Sequence, residues 1–385
     1  MAENAAKRLK TADAVPASTG AGGPVAIGTH SGRFHTDEAL AFHMLRLLPA
    51  YRDASLVRTR DPAVLDACHT VVDVGGVYDP AARRFDHHQR SFDTVFPGRE
   101  TKLSSAGLVY MHFGRALVAQ KLGRPRADAP ADPAAEDEDE DVTLLWRKIY
   151  ESFVEPVDAN DNGIEPYDPE LLAQAGLRRR FRSGGFSLAA LVSRFNPRWN
   201  DPVPDDPVAA QAAEDARFRA ASARIGEEFE RDLDFFVTSW LPARAIVRAA
   251  YDARHRYDPA GRVLVFEGQS VPWVDHLYTL EEEEEERLGR EQGEGGSAAF
   301  QKVLYVLYPE KPVPGAKWRI QAVGVSKDSY QSRKALPEPW RGTRDADLDT
   351  ITGVPGGVFV HASGFTGGHK SFDGVRALAE KACAF

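Results

Sequence analysis

Residues 25–41 read VAIGTHSGRFHTDEALA, and residues 70–76 read TVVDVGG. Each opens as a short apolar, β-rich run and breaks off at a histidine or aspartate close to glycine. A third run, SLVRT at 55–59, has the same texture, and the stretches 38–48 and 62–67 that lie between the runs have helical spacing. Strands alternating with helices predict a parallel α/β sheet. Open parallel sheets take ligands beyond the carboxyl ends of their strands, so chemistry is expected where these runs stop.

The chain has 385 residues, 43% of them hydrophobic, enough for two domains with cores of their own. Two cysteines, Cys68 and Cys383, exclude a disulfide framework and a four-cysteine zinc site and favour a reducing, intracellular compartment. No apolar run reaches the roughly 20 residues of a transmembrane helix, and no membrane partner is expected. The net charge of −9 at first argues against a polyanionic substrate. Two acidic runs, at 136–141 and 281–286, hold 12 of the 57 acids, however, and the remainder sets 48 cations against 45 anions. That slightly basic body keeps nucleic acid among the possible partners.

Residues 1–24 are small, polar and glycine-rich, lack the apolar stretch of a secretory signal, and read as a disordered tail. Lys7, Arg8 and Lys10 within it are a weak nuclear-signal candidate or a chance basic cluster. A catalytic α/β domain is expected over 25–240. It contains a helix over 104–122 with Ser104 or Ser105 at its cap, a low-complexity acidic insertion over 123–141, and a mostly helical extension whose long stretch 206–236 suits a spacer. Over 241–385 the runs RVLVFEG, KVLYVLYP, KWRIQAVGV and GGVFVHASG predict strands. With a glutamate-rich loop over 281–299 and a last helix near 375–383, they make a smaller α+β domain.

Six of the 11 histidines fall between His30 and His88, most of them beside an aspartate. THSGRFHTDEA brings His30, His35 and Asp37 into a glycine-containing turn ahead of a helix. VVDVGG ends a strand at Asp73. FDHHQ sets Asp86, His87 and His88 in a row, and VEPVDANDNG offers Asp158 and Asp161. Imidazoles mixed with carboxylates suit Mn, Zn, Fe or Co, and the set is larger than one mononuclear site requires. Two metals that clamp the attacking and leaving oxygens of a phosphoester would use it. His43, His69 and His112, by contrast, read as packing or capping residues.

The segments IGTHSGRFHTDEALA, VRTRDP, VVDVGGVYDP, RRFDHHQRSF, TKLSSAGLVY, VDANDNG, RFNPRWN, SWLPARA, LPEPWRG and HASGFTGGHKS together closely resemble the melanocyte-proliferating-gene (Myg) exonuclease family, a branch of the DHH phosphoesterase superfamily. The resemblance implies a metal-dependent 3′-to-5′ exonuclease on single-stranded RNA or oligonucleotides, acting in nucleus and mitochondria. It implies a DHH-type catalytic domain at the amino end and a carboxyl-terminal domain that helps hold substrate. Carried over by position, His30, His35 and Asp37 form the first metal motif, Asp73 the bridging carboxylate, His87 a ligand and Asp158 the fourth motif. His30 and His35 remain alternatives within the first motif, as do Asp158 and Asp161 in the fourth. The cofactor expected is a pair of divalent ions, Mn²⁺ first, with Mg²⁺, Co²⁺ or Zn²⁺ as alternatives.

Such a site fits phosphodiester hydrolysis by activated water. Asp86 is expected to orient a neighbouring imidazole, and His88 to polarise the phosphate or protonate the leaving oxygen. In the second domain GFTGGHKS reads as an anion cradle of Gly367, Gly368, His369 and Lys370, or else as a glycine turn capping a helix. Arg333, Lys317 and Arg319 are weaker candidate phosphate contacts than this segment, with solvated surface charge as the alternative reading; Tyr305, Tyr308 and Trp318 read as core. A hydrolase of phosphoanhydrides, cyclic dinucleotides or short oligonucleotides is the rival enzyme reading, and a metal-stabilised regulatory scaffold the rival of another class.

Overall fold

The computed structural model describes residues 25–135, 137–178, 185, 187–292 and 301–385. The tail over 1–24 lies outside the described residues, as do 293–299 of the expected glutamate-rich loop. The chain divides into two compact α/β units at Val237 and Thr238.

In the first unit, β1 (Ala26–Thr29), α1 (Thr36–Leu47), β2 (Ser55–Arg58), α2 (Pro62–Asp66), β3 (Thr70–Val72), β4 (Tyr78–Asp79) and β5 (Arg84–Phe85) follow in order. The sheet runs β2-β1-β3-β5-β4, parallel except for the antiparallel edge strand β4. β1 and β3 are buried along their whole length, as befits a parallel sheet covered on both faces. The short β4 and β5 escape the sequence pattern, being two residues each. The strands β1, β3 and β5 are neighbours, and the residues that follow them are His30, Asp73 and Asp86. Three of the four sequence clusters are thereby laid along one sheet edge.

Helices α3 (Ser105–Lys121), α4 (Glu140–Ile149), α5 (Glu155–Asp161), α6 (Pro169–Gln174), α7 (Leu188–Ser193) and α8 (Pro207–Phe235) complete this unit. The 123–141 insertion is pinned: Arg124 pairs with Asp139 and Asp141, Arg126 pairs with Asp137, and Asp139 caps α4 by accepting from Val142 N. Helix α8, expected as a spacer, is a wall of the core. Asp206 caps it with Pro207 at its first position. Phe218, Ile225 and Phe229 are fully buried, and Ser222 Oγ donates to the Ala39 carbonyl at 2.7 Å.

The second unit holds α9 (Leu241–Asp252), β6 (Val263–Val265), α10 (Val274–Gln292), β7 (Tyr305–Pro309), β8 (Trp318–Ala322), α11 (Asp345–Thr352), β9 (Gly357–Val360), β10 (Thr366–His369) and α12 (Phe372–Ala384), with the sheet ordered β6-β7-β8-β10-β9. Glutamates 281–286 belong to α10 and not to a loop. Glu281 is buried against Arg333, which donates to both its oxygens at 2.8 and 2.7 Å and to the Val303 and Gly324 carbonyls. Arg333 is therefore a strut and not a phosphate contact, its donors spent inside the domain. Among the described residues no helix is long and apolar enough to cross a membrane.

Candidate metal centre

Asp73 follows β3 in a left-handed backbone conformation, φ +58°, which aspartate tolerates better than most residues. Its Oδ2 lies 3.3 Å from His30 Nε2 and its Oδ1 3.3 Å from His87 Nε2. One carboxylate thus spans two groups of candidate ligands. On one side His30, His35 and Glu38 converge with Asp73; on the other stand His87 and His88. Asp161, at the end of α5, places Oδ2 3.1 Å from His87 Nε2 and forms a third group with His35 and Asp37.

Burial works against charge on His30, yet the carboxylates of Asp73 and Glu38 outweigh it and push the imidazole up to about 10. His87 is likewise raised to about 9 despite burial, by Asp161 and Asp73. Asp73 shows the reverse: burial opposes its ionisation, but the two imidazoles hold it well below the usual carboxylate range. Asp37 has no such relief. Fully buried and facing the charges of Asp73, Asp161 and Glu38, it is raised well above its ordinary value. Neither of its carboxylate oxygens has a hydrogen-bond partner, nor has Glu38 Oε2 or either ring nitrogen of His87, whose 3.1 and 3.3 Å contacts are not aligned as hydrogen bonds. Buried polar atoms normally find partners. Each of the three groups, within which one ligand atom per residue lies inside 4.8 Å of the others, contains one of these orphaned residues, and carboxylates mixed with imidazoles are a donor set that fits a divalent transition ion.

Asp86 is buried and accepts at Oδ2 from Gly76 N at 2.5 Å, and at Oδ1 from His88 N at 3.2 Å and His88 Nδ1 at 2.7 Å. These bonds tie the Asp86 carboxylate to the ring and the backbone of His88. His88 is largely exposed in a cleft of about 720 Å³, whose lining includes Arg33, Arg90 and Lys102.

Asp158 is placed elsewhere. It is completely buried and accepts from Ser104 N and Oγ at 3.0 and 2.6 Å, from Gly107 N at 3.0 Å and from Tyr150 OH at 2.9 Å. A Cβ at Gly107 would lie 2.2 Å from its Oδ2, so glycine alone fits there. Asp158 fastens α5 to the start of α3, where Ser105 Oγ stands 3.1 Å from Asp73 Oδ1, while Asp161 faces the ligands one turn on. The two alternatives of the fourth motif divide accordingly, Asp161 towards the centre and Asp158 as its anchor.

Sequence reasoning missed Glu38, whose Oε1 accepts from His35 N at 2.8 Å as the third residue of α1, the box spacing of a helix start. It also missed the brace on the loop 30–35. Asn196 pairs with both backbone groups of Phe34, at 3.0 and 2.8 Å, and Arg58 donates to the Gly32 carbonyl at 2.5 Å between the rings of Phe34 and Phe218. The motif RFNPRWN was the available signal for the first. His43 pairs with Glu230, His69 with Thr70 and His112 with Tyr78 and the Ala131 carbonyl, all away from the centre.

GFTGGHKS does not form a cradle. Gly367 and Gly368 sit in β10, paired on both sides with β8 and β9. His369 is buried, donates from Nε2 to the Pro355 carbonyl at 3.0 Å and accepts at Nδ1 from Ser371 N at 3.0 Å. Ser371 caps α12, and Lys370 is an exposed residue between strand and cap.

Residues 26–383 match the family described as "Uncharacterised protein family (UPF0160)", the MYG1 exonuclease family. The chain is 44% identical to the MYG1 exonuclease of Homo sapiens over 94% of its length and 86% of the relative's. It is 42% identical to a MYG1 protein of Schizosaccharomyces pombe, covering 94% and 98%, and 39% identical to one of Saccharomyces cerevisiae, covering 93% and 95%. No solved structure matches. With both sheets and every cluster of the candidate metal centre inside the matched span, the chain belongs to the MYG1 exonuclease family.

Proposed function

We propose that this chain is a metal-dependent phosphodiesterase, a 3′-to-5′ exoribonuclease that uses water activated by two divalent cations, Mn²⁺ foremost. The observation that carries the reading is Asp73, one oxygen turned to each of two ligand groups. His30, Glu38 and Asp73 would hold one cation, and Asp73, His87 and Asp161 the other, with His35 and Asp37 beside Asp161. When bound, the cations lower the pKa of water and neutralise charge on the phosphoryl group. Asp86 fixes the His88 ring through Nδ1, which leaves Nε2 to donate to a phosphoryl oxygen or to the leaving oxygen. The hydrogen bond to Asp86 also raises His88, which favours its proton-donating form. Arg33, Arg90 and Lys102 line the cleft and suit backbone phosphates of a single strand. The family resemblance of relatives named exonucleases supports the polymer substrate.

The test is purified protein with Mn²⁺ on end-labelled RNA, single-stranded DNA, pyrophosphate and a dinucleotide, with and without chelator. Mononucleotides released from the 3′ end of RNA, and only with metal, are expected. Turnover confined to pyrophosphate or dinucleotide would replace the exonuclease with a small-substrate hydrolase; turnover indifferent to chelation would remove the metals from the mechanism.

A further inference from the structure

Trp199 is 97% exposed, whereas Trp146, Trp240, Trp273 and Trp340 are all buried. A free indole of this size is unusual on a surface whose core has room for the others. Its backbone is braced. Asp201 accepts from Arg198 N at 3.0 Å, its own N donates to the Arg198 carbonyl at 3.1 Å, and Arg217 of α8 pairs with its carboxylate at 3.2 Å. The same segment forms a wall of the metal cleft. Ala189 and Ser193 line it, Arg33 donates to Ser193 Oγ at 3.3 Å, and Asn196 holds Phe34, itself a lining residue. Trp199 follows Asn196 by three residues, so their Cα atoms lie within about 11 Å.

We propose that Trp199 is a stacking platform for a nucleobase of the single-stranded substrate, outside the cleft whose cations take the backbone. The proposal rests on the exonuclease reading. A solvated indole on a braced backbone, close to a cleft lined by cations, offers what every base shares, a π face, and so holds a strand without reading its sequence. Among the described residues the ring is left solvated at 97% exposure.

The experiment uses the full chain with Mn²⁺ on an oligoribonucleotide and on a series carrying one abasic site at successive positions from the 3′ end. Trp199→Ala is expected to raise KM on the intact oligonucleotide on the order of tenfold, and Trp199→Phe to recover most of it. One abasic position should raise KM for the wild type by a similar factor and add nothing in Trp199→Ala. In chelator the oligonucleotide should quench tryptophan fluorescence of the wild type and not of Trp199→Phe. An unchanged KM in Trp199→Ala, or abasic penalties that add fully to the substitution, overturns the platform while the exonuclease stands. A wild type that hydrolyses bis-p-nitrophenyl phosphate but no oligonucleotide overturns both.

Discussion

Residues 30–38, HSGRFHTDE, which follow a strand, and residues 364–371, GFTGGHKS, which contain one, are made of similar parts, histidine, glycine, a small hydroxyl residue and a charge, and both lead into a helix. In the second, every polar atom of the buried histidine is used. His369 has a carbonyl on one nitrogen and a backbone N–H on the other, and its glycines are consumed by sheet pairing. In the first, the buried groups are left wanting: Asp37 has two unpartnered oxygens and Glu38 one, and His87 nearby lacks a hydrogen bond on either nitrogen. The difference shows that residue type does not separate a site from a scaffold. What separates them is whether the fold satisfies the groups it buries: in the first, the unpaired carboxylate oxygens and imidazole nitrogens belong to groups of potential metal ligands, which an ion would satisfy.

The contrast is sharpest at Asp73. Asp73→Asn is expected to cost several kcal/mol of transition-state stabilisation, roughly 10³-fold in kcat/KM, in a protein that still unfolds cooperatively in urea. A loss below tenfold would place the chemistry elsewhere. Asp158 stands between the two regions, buried yet satisfied. Burial raises its carboxyl to about 7, against the hydrogen bonds of Ser104, Tyr150 and Gly107. A raised carboxyl stabilises the fold while protonated, so its contribution is whole below about pH 4 and is lost as pH rises to about 7. Relative to Asp158→Asn, the metal-free wild type should lose on the order of 4 kcal/mol across that interval. A difference in unfolding free energy that stays flat with pH would contradict the placement.

Asp86→Asn acts through His88 and is expected to lower kcat by about 10- to 100-fold while moving the alkaline limb of the pH profile to lower pH, since the proton-donating imidazole loses the partner that raises it. His88→Ala should do no further damage when combined with it. Full additivity of the two would separate the pair. The smallest effect on turnover is expected in the other region: His369→Ala should leave kcat and oligonucleotide KM within about twofold while costing about 1–3 kcal/mol of stability through unpaired groups. A raised KM without a fall in melting temperature would restore the anion cradle.

Much of the first unit was legible because its signals are local. Strands β1 and β3 are short, fully buried runs, α3 begins where Ser104 stands, and the candidate ligands His30 and Asp73 follow strand ends, so local pattern and punctuation place them together. Glu38 was hidden by its double duty, since a glutamate at the third position of a helix reads as a cap before it reads as a ligand. Asp158 and Asp161 lie three residues apart on α5, and only the packing of α5 against α3 decides which faces the centre. The second unit misled for the same reason. Whether Gly367, His369 and Arg333 are free depends on β8, β9, Pro355 and Glu281, partners distant in sequence whose presence no local pattern announces.

The most direct measurement is the stoichiometry of divalent ions on the purified chain, by elemental analysis after reconstitution with Mn²⁺ and by calorimetric titration. Two ions per chain are expected for the wild type and for His369→Ala. Asp73→Asn, which removes a charged oxygen from both ligand groups at once, should weaken both sites together. One ion per chain, or two in Asp73→Asn with wild-type affinity, would contradict a centre built around Asp73.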